Sequence, residues 1–211
     1  EVDRIVADLM SKAKVTGLGL SVLNNNRTVY TKSYGYKNKE KQELLDNSTV
    51  VYGASFSKSV FAFLTLKLVE DGVLDLDKPI YQYLDIPLSE YEGYSSLAGD
   101  ERWKLITPRM CLSHTTGFQN WWFLDPRTGE FKRNGKLAIH FQPGTKYAYS
   151  GEGLKLLQLI VEKITGKNLE ELAAEKIFKP LRMSRTSYVW QENFEDNFAY
   201  PHVSFPSMSQ V

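Results

Sequence analysis

Apolar residues at Val2, Ile5, Val6, Leu9, Met10 and Ala13 recur at helical spacing and predict an amphipathic helix over residues 2–14. The pattern then alternates. Residues 17–23 and 27–36 read as two strands around Asn24-Asn25-Asn26, a hairpin. Residues 37–47 are polar and read as a loop. Beyond Tyr52 the chain turns apolar on nearly every side of a helix, with Val60, Phe61, Phe63, Leu64, Leu66, Leu68 and Val69, and Asp71-Gly72 ends it. Such a helix is expected to be buried in a core.

Residues 80–84 predict a short helical turn, and residues 87–104 an irregular insertion rich in Ser, Glu, Tyr and Gly. Thr107-Pro108 starts a helix with Pro at its first position. Leu154, Leu156, Leu157, Leu159, Ile160, Val161 and Ile164 form a strongly apolar helix stopped at Thr165-Gly166. Asn168 with Glu171 is a capping box opening a helix over 169–178, stopped before Pro180. The pattern weakens after Thr186. The expected organisation is a helix and hairpin over 1–50, a mainly helical lobe over 51–190, and an irregular tail over 191–211.

Composition bounds the function. The 211 residues are 42% hydrophobic and 24% charged, with a net charge of +1, enough for one large domain or two small lobes. No basic run interleaves with aromatics, which argues against a nucleic-acid partner. No apolar run reaches membrane-spanning length. The lone Cys111 excludes an intrachain disulfide, and no signal-peptide pattern opens the chain at Glu1.

The chemistry concentrates at Ser55 and Lys58. Three positions apart, they share one face of a helix whose N-terminus favours negative charge. A serine nucleophile needs that setting and a nearby base. Roughly one S-x-x-K match is expected by chance at this length. A second, Ser11 and Lys14, falls on an amphipathic helix and reads as a solvated face. Taken alone, Ser55 is a nucleophile or a helix N-cap.

With these pieces the chain resembles the serine β-lactamase and penicillin-binding-protein superfamily, in the branch of class C β-lactamases, D,D-peptidases and related esterases. The resemblance runs from about residue 15 to about residue 203. It is carried by Gly17-Leu18-Gly19, Ala54-Ser55-Phe56-Ser57-Lys58, residues 71–79, residues 106–117, Pro143-Gly144-Thr145 through Tyr149-Ser150, and residues 177–183. It implies an α+β fold, a β-lactamase/transpeptidase-like sandwich of helices on an antiparallel sheet, here lacking the C-terminal sheet strands. It implies a serine hydrolase acting through an acyl-enzyme on a small ester, amide, D-amino-acid peptide or β-lactam. Ser55 matches the nucleophile, Lys58 the lysine that shares or takes its proton, and Tyr149 the tyrosine acting as base and then proton donor. Which of Lys58 and Tyr149 carries the proton at rest stays open, because a coupled pair titrates as a pair. No cofactor or metal is implied, and the expected location is periplasmic or secreted.

Two departures shape the expectation. The family's Tyr-x-Asn reads Tyr149-Ser150-Gly151, so the carboxamide that would meet the substrate and the lysine is absent at 151; water or Ser150 would have to substitute. The third motif, Lys-Thr-Gly or His-x-Gly on an inner strand, is not found. The chain therefore looks like the N-terminal two-thirds of such a protein, completed by a missing segment or a second chain; standing alone it is expected to have an incomplete sheet and little turnover. Gly151 and Trp121, with Trp122, are the candidate substrate-contacting residues. Two alternatives remain beside the hydrolase. One is a non-catalytic binding or sensor member of the same fold. The other, a zinc site at Cys111 and His114, is thin, since such sites need three or four ligands; His114 reads rather as a structural histidine bonded to backbone. The elbow G-x-S-x-G of Ser-His-Asp hydrolases is not met around Ser55.

Overall fold

The computed structural model describes residues 1–121, 128, 130 and 135–202. By contact the chain separates into two compact units, Glu1–Ala54 with the residues from Ser184 onward, and Ser55–Met183.

The first unit holds helix α1 (Val2–Ala13) and a three-stranded antiparallel sheet, β1 (Gly17–Asn24), β2 (Arg27–Asn38) and the two-residue β3 (Glu43–Leu44), in that order. Asn25 and Asn26 both have positive φ, 49° and 58°, the requirement of the tight turn that matches strand twist. The register pairs Gly17 with Gly35 and Asn24 with Arg27, with an irregularity between Val22 and Leu23. The loop expected from Lys37 starts two residues later, after Asn38, and the chain returns to pair as β3.

The pattern-poor stretch after Ser184 is irregular but tied down. It contains a 3₁₀ turn (Glu192–Phe194), and Val50 bridges Phe198 in parallel. Val50 N donates to Asn197 O at 2.8 Å, Ala199 N to Val50 O at 2.8 Å, and Tyr200 N to Lys37 O at 2.8 Å. So these residues do add backbone pairing beside the hairpin, which their sequence pattern did not suggest. Asn197 is the hub. Its amide nitrogen donates to Asp46 and Ser48, and its oxygen accepts from Lys37 and Thr49. Bonds from Ser48 first, then Asn197, hold the Asp46 carboxyl far below the usual range.

The second unit is helical. Helix α2 (Phe56–Glu70) buries Phe61, Leu64, Thr65 and Leu68, the i, i+3, i+4, i+7 stripe. It is not enclosed on all sides: Phe63 and Leu66 are each 48% exposed. An apolar circumference marks what a helix is able to bury, and here one stripe meets the core. Helix α4 (Gly151–Thr165) contributes Leu156, Leu157, Ile160 and Val161, all fully buried. Helix α5 (Leu169–Ala173) opens on the predicted capping box, with both of its reciprocal bonds made, and runs into a π turn over Ala174–Phe178. The insertion 87–104 is less irregular than its composition suggested. Short 3₁₀ turns at Leu88–Glu90, Ser95–Leu97 and Glu101–Leu105 sink Leu88, Leu97 and Trp103.

Helix α3 (Pro108–Leu112) starts at Thr107, whose hydroxyl accepts from Met110 N. The chain leaving α3 runs past Gly117, at φ +86°, where a Cβ would meet the Phe141 carbonyl oxygen at 2.5 Å. Gly72, at φ +70°, has nothing within 4 Å of that position. Gly72→Ala should therefore cost about 1–2 kcal/mol for left-handed backbone alone. Gly117→Ala should cost that plus about 1–3 kcal/mol for the displaced backbone. Urea unfolding of both variants checks the difference; equal losses would show that the approach at Gly117 relaxes freely.

Candidate functional site

Ala54 delivers the chain to α2 with φ 43°, a left-handed conformation uncommon outside glycine. Ser55 follows as the helix N-cap in αR geometry, and its side chain makes no capping bond. The hydroxyl is engaged elsewhere. Tyr149 Oη donates to Ser55 Oγ at 2.9 Å, and Lys58 Nζ donates to the same oxygen at 3.3 Å. Lys58 Nζ also lies 5.4 Å from the centre of the Tyr149 ring. The three side chains picked out along 94 positions of sequence thus meet at one oxygen.

Tyr149 is held there by the start of α4. Ser150 is fully buried, donates its hydroxyl to Gln119 O at 2.9 Å, and accepts from Gly153 N at 3.0 Å as the helix cap. The next residue is held too: Gly151 N donates to Asn120 Oδ1 at 2.8 Å. Segment 119–120 therefore lies along 150–151, fixing the backbone on the C-terminal side of the tyrosine.

Electrostatics follow from this placement. Burial pushes the Tyr149 phenol up, but hydrogen bonds from Ser55 and Lys58 and the ammonium charge outweigh it, so its pKa lies below the ordinary 10. His114, packed against the Tyr149 ring at 4.5 Å between centres, is pushed below the ordinary histidine value. Burial is the main cause, with Lys58 adding to it and the Ser150 backbone opposing. The structure thus offers a nucleophile-type hydroxyl, an amine and a phenol whose anion is stabilised, all at a helix N-terminus.

The other expectations fare unevenly. Ser150 is no substitute for a missing carboxamide, since both functions of its hydroxyl are committed to Gln119 and Gly153. Gly151 is partly explained by its neighbour, because a Cβ there would meet Asn120 Oδ1 at 3.2 Å. Trp121 is 49% exposed, beside Asn120 in the chain, and Trp122 lies outside the described residues. Asn120 escaped the sequence reading because its partner is a backbone N–H 31 positions away, which no local pattern announces. His114 is bonded to backbone, as its lack of partner ligands suggested, with Nδ1 3.1 Å from Ser150 N. No group of three or more His, Cys, Asp or Glu side chains placed to hold a metal occurs among the described residues. Among them, too, no helix is long and apolar enough to cross a membrane.

Comparison with known proteins bears on the family and the fold. The chain is 23% identical over 203 residues to Protein flp of Staphylococcus aureus (strain N315), covering 92% of this chain and 39% of flp. The octameric penicillin-binding protein homologue of Pyrococcus abyssi superposes with a TM-score of 0.70 at 25% identity, over 93% of this chain and 46% of that one. EstCE1, a hydrolase with promiscuous acyltransferase activity, superposes with a TM-score of 0.76 at 18% identity, over 94% and 54%. The chain thus spans about half or less of the length of each. The fold is the α+β arrangement that the resemblance implied, with a three-stranded antiparallel sheet among the described residues. The beta-lactamase family model matches residues 2–205, and the chain belongs to that family, whose superfamily is one of serine hydrolases.

Proposed function

We propose that Ser55 is the nucleophile of a serine hydrolase that works through a covalent acyl-enzyme. The observation that carries this is the convergence of Tyr149 Oη and Lys58 Nζ on Ser55 Oγ, at 2.9 and 3.3 Å. The step balances simply. The phenol, as its anion, takes the Ser55 proton while Oγ bonds the acyl carbon. The same proton then passes to the leaving oxygen or nitrogen as the carbonyl re-forms and the scissile bond breaks. Lys58 stabilises the anionic phenol throughout, consistent with the lowered Tyr149 pKa. Water attacks the ester next and restores the serine.

The acyl donor is a small ester, amide, D-amino-acid peptide or β-lactam. Gly151 presents no carboxamide, and its N–H is held by Asn120, which favours a small ester or amide over a β-lactam. The working location proposed is periplasmic or secreted, following the family.

A fluorophosphonate probe should label Ser55 and fail to label Ser55→Ala, with mass spectrometry placing the adduct. Tyr149→Phe should slow labelling about 10²–10⁴-fold, the range of lost general-base assistance. Equal labelling of Ser55→Ala would end the proposal. Specific peptide or ester binding with no released product would support the alternative of a binding or sensor member. The ionisation is tested separately. With ¹³Cζ-labelled tyrosine, assigned through Tyr149→Phe, the Tyr149 midpoint should rise in Lys58→Met, because burial then acts unopposed by the ammonium. A midpoint that falls or stays would remove Lys58 as the source of the stabilised phenolate.

A further inference from the structure

We infer that His114 is a positioning residue for Tyr149, a role that rests on the acyl-enzyme proposal for its catalytic meaning but not for its geometry. The starting observation is a backbone conformation that histidine does not favour. Helix α3 ends at Ser113, and His114 follows with φ +57°. Thr115 N donates back to Met110 O at 2.9 Å and His114 N to Cys111 O at 3.4 Å, the bond pair of the Schellman end, in which glycine is the usual residue at this position. A non-glycine residue there carries backbone strain that its surroundings must offset.

Backbone and side chain of His114 together bracket one residue. The His114 carbonyl oxygen accepts from Ala148 N at 2.9 Å, on the near side of Tyr149. The His114 ring reaches the far side, with Nδ1 3.1 Å from both the N and the O of Ser150. Between these two anchors the imidazole lies against the phenol ring, tilted by 42° with centres 4.5 Å apart. Tyr147 closes the other approach edge-on, at 6.0 Å. One residue thus holds the peptides before and after Tyr149 and packs against the ring between them.

The clamp does not depend on the ring's charge. With Nδ1 bare it accepts the Ser150 N–H; with Nδ1 protonated it donates to the Ser150 carbonyl. The charged or titratable groups facing it are Lys58 on α2 and Tyr147 and Tyr149 on the loop into α4. The role proposed is placement of the phenol against Ser55, and proton transfer stays with Tyr149.

The fold supplies a discriminating variant. His114→Gly suits the left-handed backbone better than histidine does, so a residue serving only to end α3 would be replaced with unchanged or improved stability. Asparagine tolerates that backbone and places Oδ1 where Nδ1 sits. In the full chain, His114→Gly should therefore unfold no earlier than the parent, yet react with the fluorophosphonate probe about 10–100-fold more slowly. His114→Asn should recover most of the rate. His114→Gly reacting at the parent rate, or His114→Asn as slow as the glycine variant, would overturn the role.

A second readout does not need turnover. The ¹³Cζ resonance of Tyr149 should titrate closer to the ordinary tyrosine value in His114→Gly, because a phenol released from Ser55 and Lys58 loses what stabilises its anion, and should move back in His114→Asn. An unmoved midpoint would overturn the role as well. Should the parent protein resist the probe altogether, the acyl-enzyme proposal falls, and this titration still decides what His114 does.

Discussion

The site depends on one buried hydroxyl. Ser150 donates to Gln119 O and accepts from Gly153 N, and both bonds are made with no solvent access. They fix the residue at which extended chain becomes helix α4. Tyr149 is the last residue before that point, so its side chain is aimed by a boundary that cannot slide. A buried hydroxyl removed from such a place leaves two backbone groups without partners, each costing about 1–3 kcal/mol. The geometry of the proposed site is therefore anchored by a polar contact inside the core.

Around that anchor the charges settle into a consistent arrangement. Lys58 is the cation shared by its neighbours: it helps lower the affinity of Tyr149 and of His114 for a proton. A phenol and an imidazole both lowered in proton affinity are consistent with the proposal that Tyr149 accepts the Ser55 proton. The surface ion pairs elsewhere contribute little by comparison, since exposed pairs such as Lys12 with Asp8 are screened by water.

Much of this was legible in the residues because it is local. The Asn168–Glu171 capping box, the Gly166 stop after α4, and the Thr107-Pro108 start are all written within four positions, and all occur as expected. Ser55 and Lys58 share a helix turn, so their proximity needed no fold. Tyr149 joined them through family resemblance alone, and only coordinates bring it to 2.9 Å. What escaped was set by tertiary structure. Leu88, Leu97 and Trp103 are buried one at a time by 3₁₀ turns, which have no 3.6-residue period to detect. Phe63 and Leu66 look as apolar as their buried neighbours, yet remain half exposed. Asn120 bonds a backbone group 31 positions away, and so does the Ser150 hydroxyl through Gln119 O.

The Asn197 hub has a consequence for how the polypeptide comes together. Its bond to Asp46 closes a separation of 151 positions, and those to Ser48 and Lys37 are comparably long-range. Contacts of such high sequence separation carry a large loop-closure entropy and slow the search for the native state. During synthesis, the hairpin can pair locally, but its bonds to Asn197 form only once residue 197 has emerged. The intervening unit, Ser55–Met183, is contiguous in sequence and has its own contacts available earlier. Until then Lys37 O lacks the partner it finds in Tyr200 N, and unpaired strand edges of this kind are prone to pair with other chains.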